Sequence, residues 1–133
     1  MSLLALKLAT VVGCKVIITS SSDAKLEKVL TTAGTFSKAV STINYSNNPQ
    51  WAEEAIRLNG GNGVDIVIEN GGTSSLIQSL AATAKRGIIS QVGYLGKQDP
   101  KDLEGLLALL IDKTVTLRFV SLSDTQFNML IVR

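Results

Sequence analysis

The sequence predicts an α/β fold built on a doubly wound, mostly parallel sheet. Three observations predict it. Short β-branched runs alternate with segments of helical periodicity along the whole chain, which is the pattern of right-handed strand–helix–strand crossovers. The hydrophobic fraction is 45% and the mean hydropathy +0.27, as expected where strands are buried on both faces. Clusters rich in glycine and asparagine punctuate the runs. Composition shows no break, repeat or low-complexity stretch, so residues 1–133 read as a single domain.

The elements follow in order. Ser2 to Val12 has Leu4, Leu8 and Val11 or Val12 at helical spacing, and Gly13 ends the helix. Lys15 to Thr19 is a buried strand. Ser22 is placed to cap a helix from Asp23 to Thr32, with Asp23 at the positive end of its dipole. Val40 to Tyr45 is the next strand. Pro49 opens a helix through Leu58. Asn59 to Gly63 is a turn cluster, Val64 to Glu69 a strand, and Asn70-Gly71-Gly72 a tight loop. Thr73 is placed to cap a helix to about Ala84. Ile88 to Val92 is a strand, Gly93 to Pro100 a loop, and Asp102 to Ile111 a helix. Thr114 to Val120 is the last strand, and Asp124 to Val132 begins a final helix.

Composition excludes several function classes. Histidine is absent and Cys14 is the single cysteine. That excludes Ser-His-Asp and Cys-His catalysis, His-based zinc sites, a cysteine zinc cluster and an internal disulfide. The net charge of +2 comes with no dominant basic cluster, so no nucleic-acid partner is expected. No apolar run reaches the roughly 18 residues of a membrane helix, and no secretory signal opens the sequence. The expected location is the cytoplasm.

Six segments keep a telling order: Lys15 to Lys25, Ile43 to Tyr45, Trp51 to Glu54, Gly60 to Asp65, Val67 to Gly72 and Ile88 to Tyr94. Together they resemble the nucleotide-binding domain of the medium-chain dehydrogenases and quinone reductases, the relatives of zinc-type alcohol dehydrogenase. The resemblance implies a Rossmann-like sheet of order 3-2-1-4-5-6. In that family the domain opens with a strand and a G-x-G-x-x-G turn before the helix matched by Ser2 to Val12. Neither is present in these 133 residues. The expectation is a sheet lacking its first, central strand and glycine-rich loop, without the GroES-like catalytic domain. The strand from Lys15 and the strand from Val64 would then pair directly, accept a strand from elsewhere, or rearrange. Thr35 to Thr42 also makes a longer approach to the third family strand than is usual there.

The resemblance implies NADP(H) as cofactor, with weak or absent binding expected without the glycine-rich loop; the composition leads to no metal. Ser20 and Ser21 stand where an acidic residue would select NAD. Lys25 and Tyr45 match positions that hold the 2'-phosphate, and a cation with hydroxyls at a helix start suits a phosphate dianion. Asp23 is a contrary charge nearby. The residues alone fit equally a capped helix with a solvated lysine. Asn70, Gly71 and Gly72, with Val92, Gly93 and Tyr94, match the loops that approach the nicotinamide, and Val120 and Ser121 match a segment near its carboxamide. Simple turn chemistry accounts for the same glycines. No catalytic residue is singled out: Tyr94 and Lys97 miss the spacing of a Tyr-x-x-x-Lys pair. Glu69, ending a buried strand, is either a rim residue or a buried carboxylate.

Three functions are compatible with these residues. The first is an NADP(H)-binding part of an oxidoreductase acting on a carbonyl, quinone or activated alkene, inactive in hydride transfer alone. The second is a small cofactor-independent isomerase, cyclase or dehydratase. The third is a non-catalytic assembly module. The resemblance also implies a homodimer, or other self-association, through Leu106 to Val120 or the open sheet edge.

Overall fold

The computed structural model describes residues 2–93 and 99–120. The described elements run α1 (Ser2–Val11), β1 (Val16–Ser20), α2 (Asp23–Ala33), a 3-10 helix (Gly34–Ala39), β2 (Val40–Asn44), α3 (Trp51–Leu58), β3 (Val64–Glu69), α4 (Thr73–Ala82), β4 (Thr83–Gln91), a 3-10 turn (Pro100–Leu103), α5 (Leu106–Lys113) and β5 (Thr116–Phe119). The fold is α/β, and every strand pairing is parallel. The final helix expected from Asp124 lies outside the described residues.

The strands form two sheets, one of order β1-β2 and one of order β3-β4-β5. β1 and β3 do not pair with each other. The chain divides correspondingly into two compact units, one reaching Trp51 and one starting at Ala52.

In the first unit, β1 and β2 run in register from Val16 against Val40 to Ser20 against Asn44. Leu6 of α1, Ala33 of α2 and Val40 form its buried cluster, with Val16, Ile18, Val29 and Leu30 packed around them. Gly34 to Ala39, which takes in most of the long approach from Thr35 to Thr42, winds into the 3-10 helix before β2. It delivers Tyr45 directly against β1, because the Tyr45 N–H donates to Ser20 O at 3.1 Å.

The second unit is organised by α4. Leu76 and Leu80 pack on Ile89, with Val67 and Leu117 from the flanking strands and Leu106, Leu109 and Leu110 from α5. Strand alternation explains what is left outside. Val67 pairs Ile89 on the covered face, whereas Ile66 pairs Ile88 on the other, and Ile68 and Ile88 are exposed. Lys113 at the end of α5 fastens the end of α4: its Nζ donates to Leu80 O, Ala81 O and Thr83 O at 3.0, 2.5 and 2.9 Å. A cation on terminal helix carbonyls complements the dipole. Burial pushes the Lys113 ammonium below the ordinary lysine range, and Asp112 opposes that shift.

Several boundaries differ from the sequence reading. The helix from Thr73 stops at Ala82, and β4 begins at Thr83 rather than Ile88. Val64 pairs Thr83 and Ile66 pairs Ile88, so Asp65 alone faces Ala84 to Gly87. The helix expected from Asp102 starts at Leu106, because Gly105, in the left-handed region at φ 80°, separates it from the 3-10 turn. Ser22 occupies the N-cap of α2 without a side-chain cap bond; its N–H instead donates to Ser20 Oγ at 3.3 Å. Thr73 is likewise not the cap of α4, whose N-cap is Gly72. Its hydroxyl donates to Asp102 Oδ2 at 3.2 Å and accepts the Asp99 N–H at 3.0 Å. Among the described residues no helix is long and apolar enough to cross a membrane.

Candidate functional site

The residues singled out by sequence fall into two groups, one in each unit, each at the C-terminal end of its sheet. That is the side on which open α/β sheets receive ligands.

In the first unit, Ser20 closes β1 beside Asn44, and Tyr45 follows directly. Ser21 continues the chain into α2, and Lys25 lies in its first turn. Ser21, Lys25 and Tyr45 are all exposed. The ladder therefore brings Ser20 and Tyr45 to one end, with Lys25 on the helix that leaves it. One contact was not legible in the sequence: Asn44 Nδ2 donates to Asp23 Oδ1 at 2.7 Å. The contrary charge at Asp23 is thereby tied to the end of β2. An Asn pairing with an Asp 21 positions earlier leaves no local pattern from which to find it.

In the second unit, Asn70-Gly71-Gly72 and Val92-Gly93 are adjacent. The Val92 N–H donates to Glu69 O at 2.8 Å. A Cβ built on Gly93 would lie 3.4 Å from Asn70 Oδ1. Gly72 has φ 94° and ψ −148°, a conformation that is essentially glycine's alone. Val120 reaches the same end, its N–H donating to Gln91 O at 2.9 Å. Tyr94 and Ser121 lie outside the described residues.

Beneath this loop sits a polar group that the residue pattern only hinted at. Glu69 is 6% exposed. Its Oε1 accepts the Gly71 N–H at 2.6 Å and the Ser75 hydroxyl at 2.7 Å, and its Oε2 accepts the Ser79 hydroxyl. Ser75 and Ser79 stand one helical turn apart on α4, so both point to one acceptor. That spacing was the available signal. Next to it, Gln91 is 2% exposed. Its Nε2 donates to Gly93 O at 2.6 Å, and its Oε1 is buried without a partner among the described residues. The Glu54 of the Glu53-Glu54 pair is instead a surface group, bound by both Arg57 Nε and Nη2 at 2.7 and 2.6 Å. Those bonds hold its carboxyl below the ordinary range.

Comparison with known proteins shows the family. The family model for zinc-binding dehydrogenases matches residues 1–130. The chain belongs to that family. A zinc-type alcohol dehydrogenase-like protein of Schizosaccharomyces pombe is 37% identical over 121 residues, covering 88% of this chain and 33% of that protein. The crystal structure of an NAD-dependent alcohol dehydrogenase matches with a TM-score of 0.75 at 26% identity, over 90% of this chain and 32% of the other. Escherichia coli quinone oxidoreductase, solved in complex with NADPH, matches with a TM-score of 0.68 over 91% of this chain and 35% of its own; at 24% identity this likeness shows the fold alone. The chain spans about a third of the length of these relatives.

The zinc for which the family is named does not fit the residues here. The chain has no histidine and one cysteine, and the described residues hold no group of three or more His, Cys, Asp or Glu placed around a metal.

Proposed function

We propose that this zinc-binding dehydrogenase chain forms cofactor-binding surface for NADP(H) in an oxidoreductase acting on a carbonyl, quinone or activated alkene. The observation that carries the reading is the placement of Ser20 and Tyr45 at one end of the β1–β2 ladder, with Lys25 in the first turn of the helix that follows. On this reading Lys25 and the hydroxyls of Ser20, Ser21 and Tyr45 bind the 2'-phosphate, a donor set suited to a dianion. On the same reading Asn70, Gly71, Gly72, Val92 and Gly93 form the wall beside the nicotinamide ribose, where glycines admit close backbone approach. The nicotinamide supplies or accepts the hydride when bound. On this reading the chain's own residues orient it, and none of them is assigned as a catalytic acid or base.

Nicotinamide fluorescence titration tests the reading. Lys25→Ala is expected to weaken NADPH binding about tenfold, the scale of one charge-assisted phosphate contact, and to leave NADH binding unchanged. Equal weakening of both cofactors would overturn the assignment of Lys25 to the 2'-phosphate. Absence of wild-type binding at millimolar NADPH would overturn the cofactor reading itself.

We also propose that the chain self-associates through the Leu106–Val120 region. Supporting this is the exposure of Leu107, Ile111 and Phe119, at 69%, 68% and 62%, since an apolar surface of this kind is commonly covered by a partner. Light scattering is expected to give more than the mass of one chain at micromolar concentration. A single-chain mass there would reject the proposal.

A further inference from the structure

Glu69 carries more structure than a strand-ending residue requires. Its carboxylate is buried, and burial of a charge is costly unless every lone pair finds a donor. Here three donors converge on it: the Gly71 N–H, the Ser75 hydroxyl and the Ser79 hydroxyl. All three are neutral. Two come from α4 and one from the loop, so the carboxylate ties the loop to the helix. The loop follows it closely: a Cβ on Gly71 would overlap Ser75 Oγ and come within 3.1 Å of Glu69 Oε1. The backbone of the same residue holds the second loop. Glu69 O accepts the Val92 N–H, and Gln91 Nε2 approaches it at 3.5 Å while binding Gly93 O. One residue thus fixes the first loop through its side chain and the second through its carbonyl.

We propose that Glu69 is a positioning residue for the nicotinamide side of the site: its buried carboxylate, by holding Gly71 N–H against Ser75 and Ser79, sets the Asn70–Gly72 loop at the distance at which it receives the cofactor's nicotinamide half. The proposal rests on the cofactor reading above. In this role Glu69 acts through the loop and not by contact with the cofactor, its two oxygens holding the three donors. Its side chain has no part in the Ser20, Lys25 and Tyr45 group.

The experiment compares two ligands by calorimetry on the whole 133-residue chain. NADPH carries both halves, whereas adenosine 2',5'-bisphosphate lacks the nicotinamide half. Glu69→Ala is expected to weaken NADPH at least tenfold and to leave adenosine 2',5'-bisphosphate within twofold of wild type. Glu69→Gln keeps one oxygen for Gly71 and Ser75, and the Ser79 hydroxyl can turn to accept from the new amide. It is expected to restore NADPH binding to within threefold of wild type. If Glu69→Ala does not fold, the Ser75→Ala, Ser79→Ala double variant serves instead, and it is expected to weaken NADPH selectively by threefold or more. Wild-type affinity for NADPH in the folded Ala or double-serine variants would overturn the proposal, as would parallel loss of both ligands. A wild-type chain that binds neither ligand would overturn the cofactor reading and this role with it.

Discussion

Leu80→Ala is expected to lower the unfolding free energy by about 2–5 kcal/mol, the range for burying a cavity where a leucine stood. Leu80 is 0% exposed and lies at the centre of the Leu76, Leu80 and Ile89 cluster. The residues packed on that cluster include Val67, Leu106, Leu110 and Leu117, from β3, α5 and β5, so no single segment can relax into the space it leaves. The loss is measured by urea unfolding, read as a shift in midpoint at constant slope. Val11→Ala is the control. Val11 ends α1 and is largely exposed, and its loss is expected to stay within about 0.5 kcal/mol. Equal effects at the two positions would mean that α4 does not organise the core of its unit.

Gly63→Ala is the second large expected effect. A Cβ there would stand 2.5 Å from Ala84 N, 2.6 Å from Ala84 Cα and 2.8 Å from Thr83 C. These are backbone atoms of β4, and no rotamer change can move them aside. The methyl group would strike where the β3–β4 ladder changes register, forcing the first pair, Val64 with Thr83, apart. Overpacking of this kind costs about 1–3 kcal/mol, and more where backbone must shift. Gly60→Ala is an informative comparison, because a Cβ at Gly60 meets open space. Its cost comes only from its φ of 70°. Thermal unfolding of the two variants should place Gly63→Ala clearly lower. A Gly63→Ala chain as stable as wild type would contradict the close approach of the two strands.

The strands were the most legible part of the sequence. Val64 to Glu69 begins and ends as its β-branched run suggests, because a short apolar run between glycine clusters has one natural reading. Helix ends were less legible. Thr83, Ala84 and Lys85 have ordinary helix propensities, yet Thr83 leaves α4 to pair with Val64. A tertiary contact overrides local preference there. Ser22 takes the N-cap of α2 as its position suggests, though its side chain makes no cap bond; Thr73 does not cap α4, because its hydroxyl binds Asp102 and Asp99 and Gly72, in a conformation only glycine tolerates well, takes that N-cap. At the candidate site, the structure sets Ser20 and Tyr45 at one end of the β1–β2 ladder and brings Asn70 next to Gly93. The Glu69 network and the Asn44–Asp23 bond depend on chain segments brought together by folding, and sequence spacing alone carries little trace of them. Only Ser75 and Ser79, one turn apart, could have suggested an acceptor opposite.

The parallel pairing of the five described strands has a kinetic consequence. A parallel ladder cannot be closed by a two-residue hairpin; each waits for a crossover that usually carries a helix. The chain must therefore meet loop-closure entropy before the first inter-strand hydrogen bond forms, in either sheet. Folding rates fall with such non-local pairing. Newly made chains thus spend longer with strand edges bare, and Ile68 and Ile88, exposed even in the folded state, add sticky surface during that interval. Refolding yield is therefore governed by a race between crossover closure and bimolecular encounter, in which dilution favours the native form.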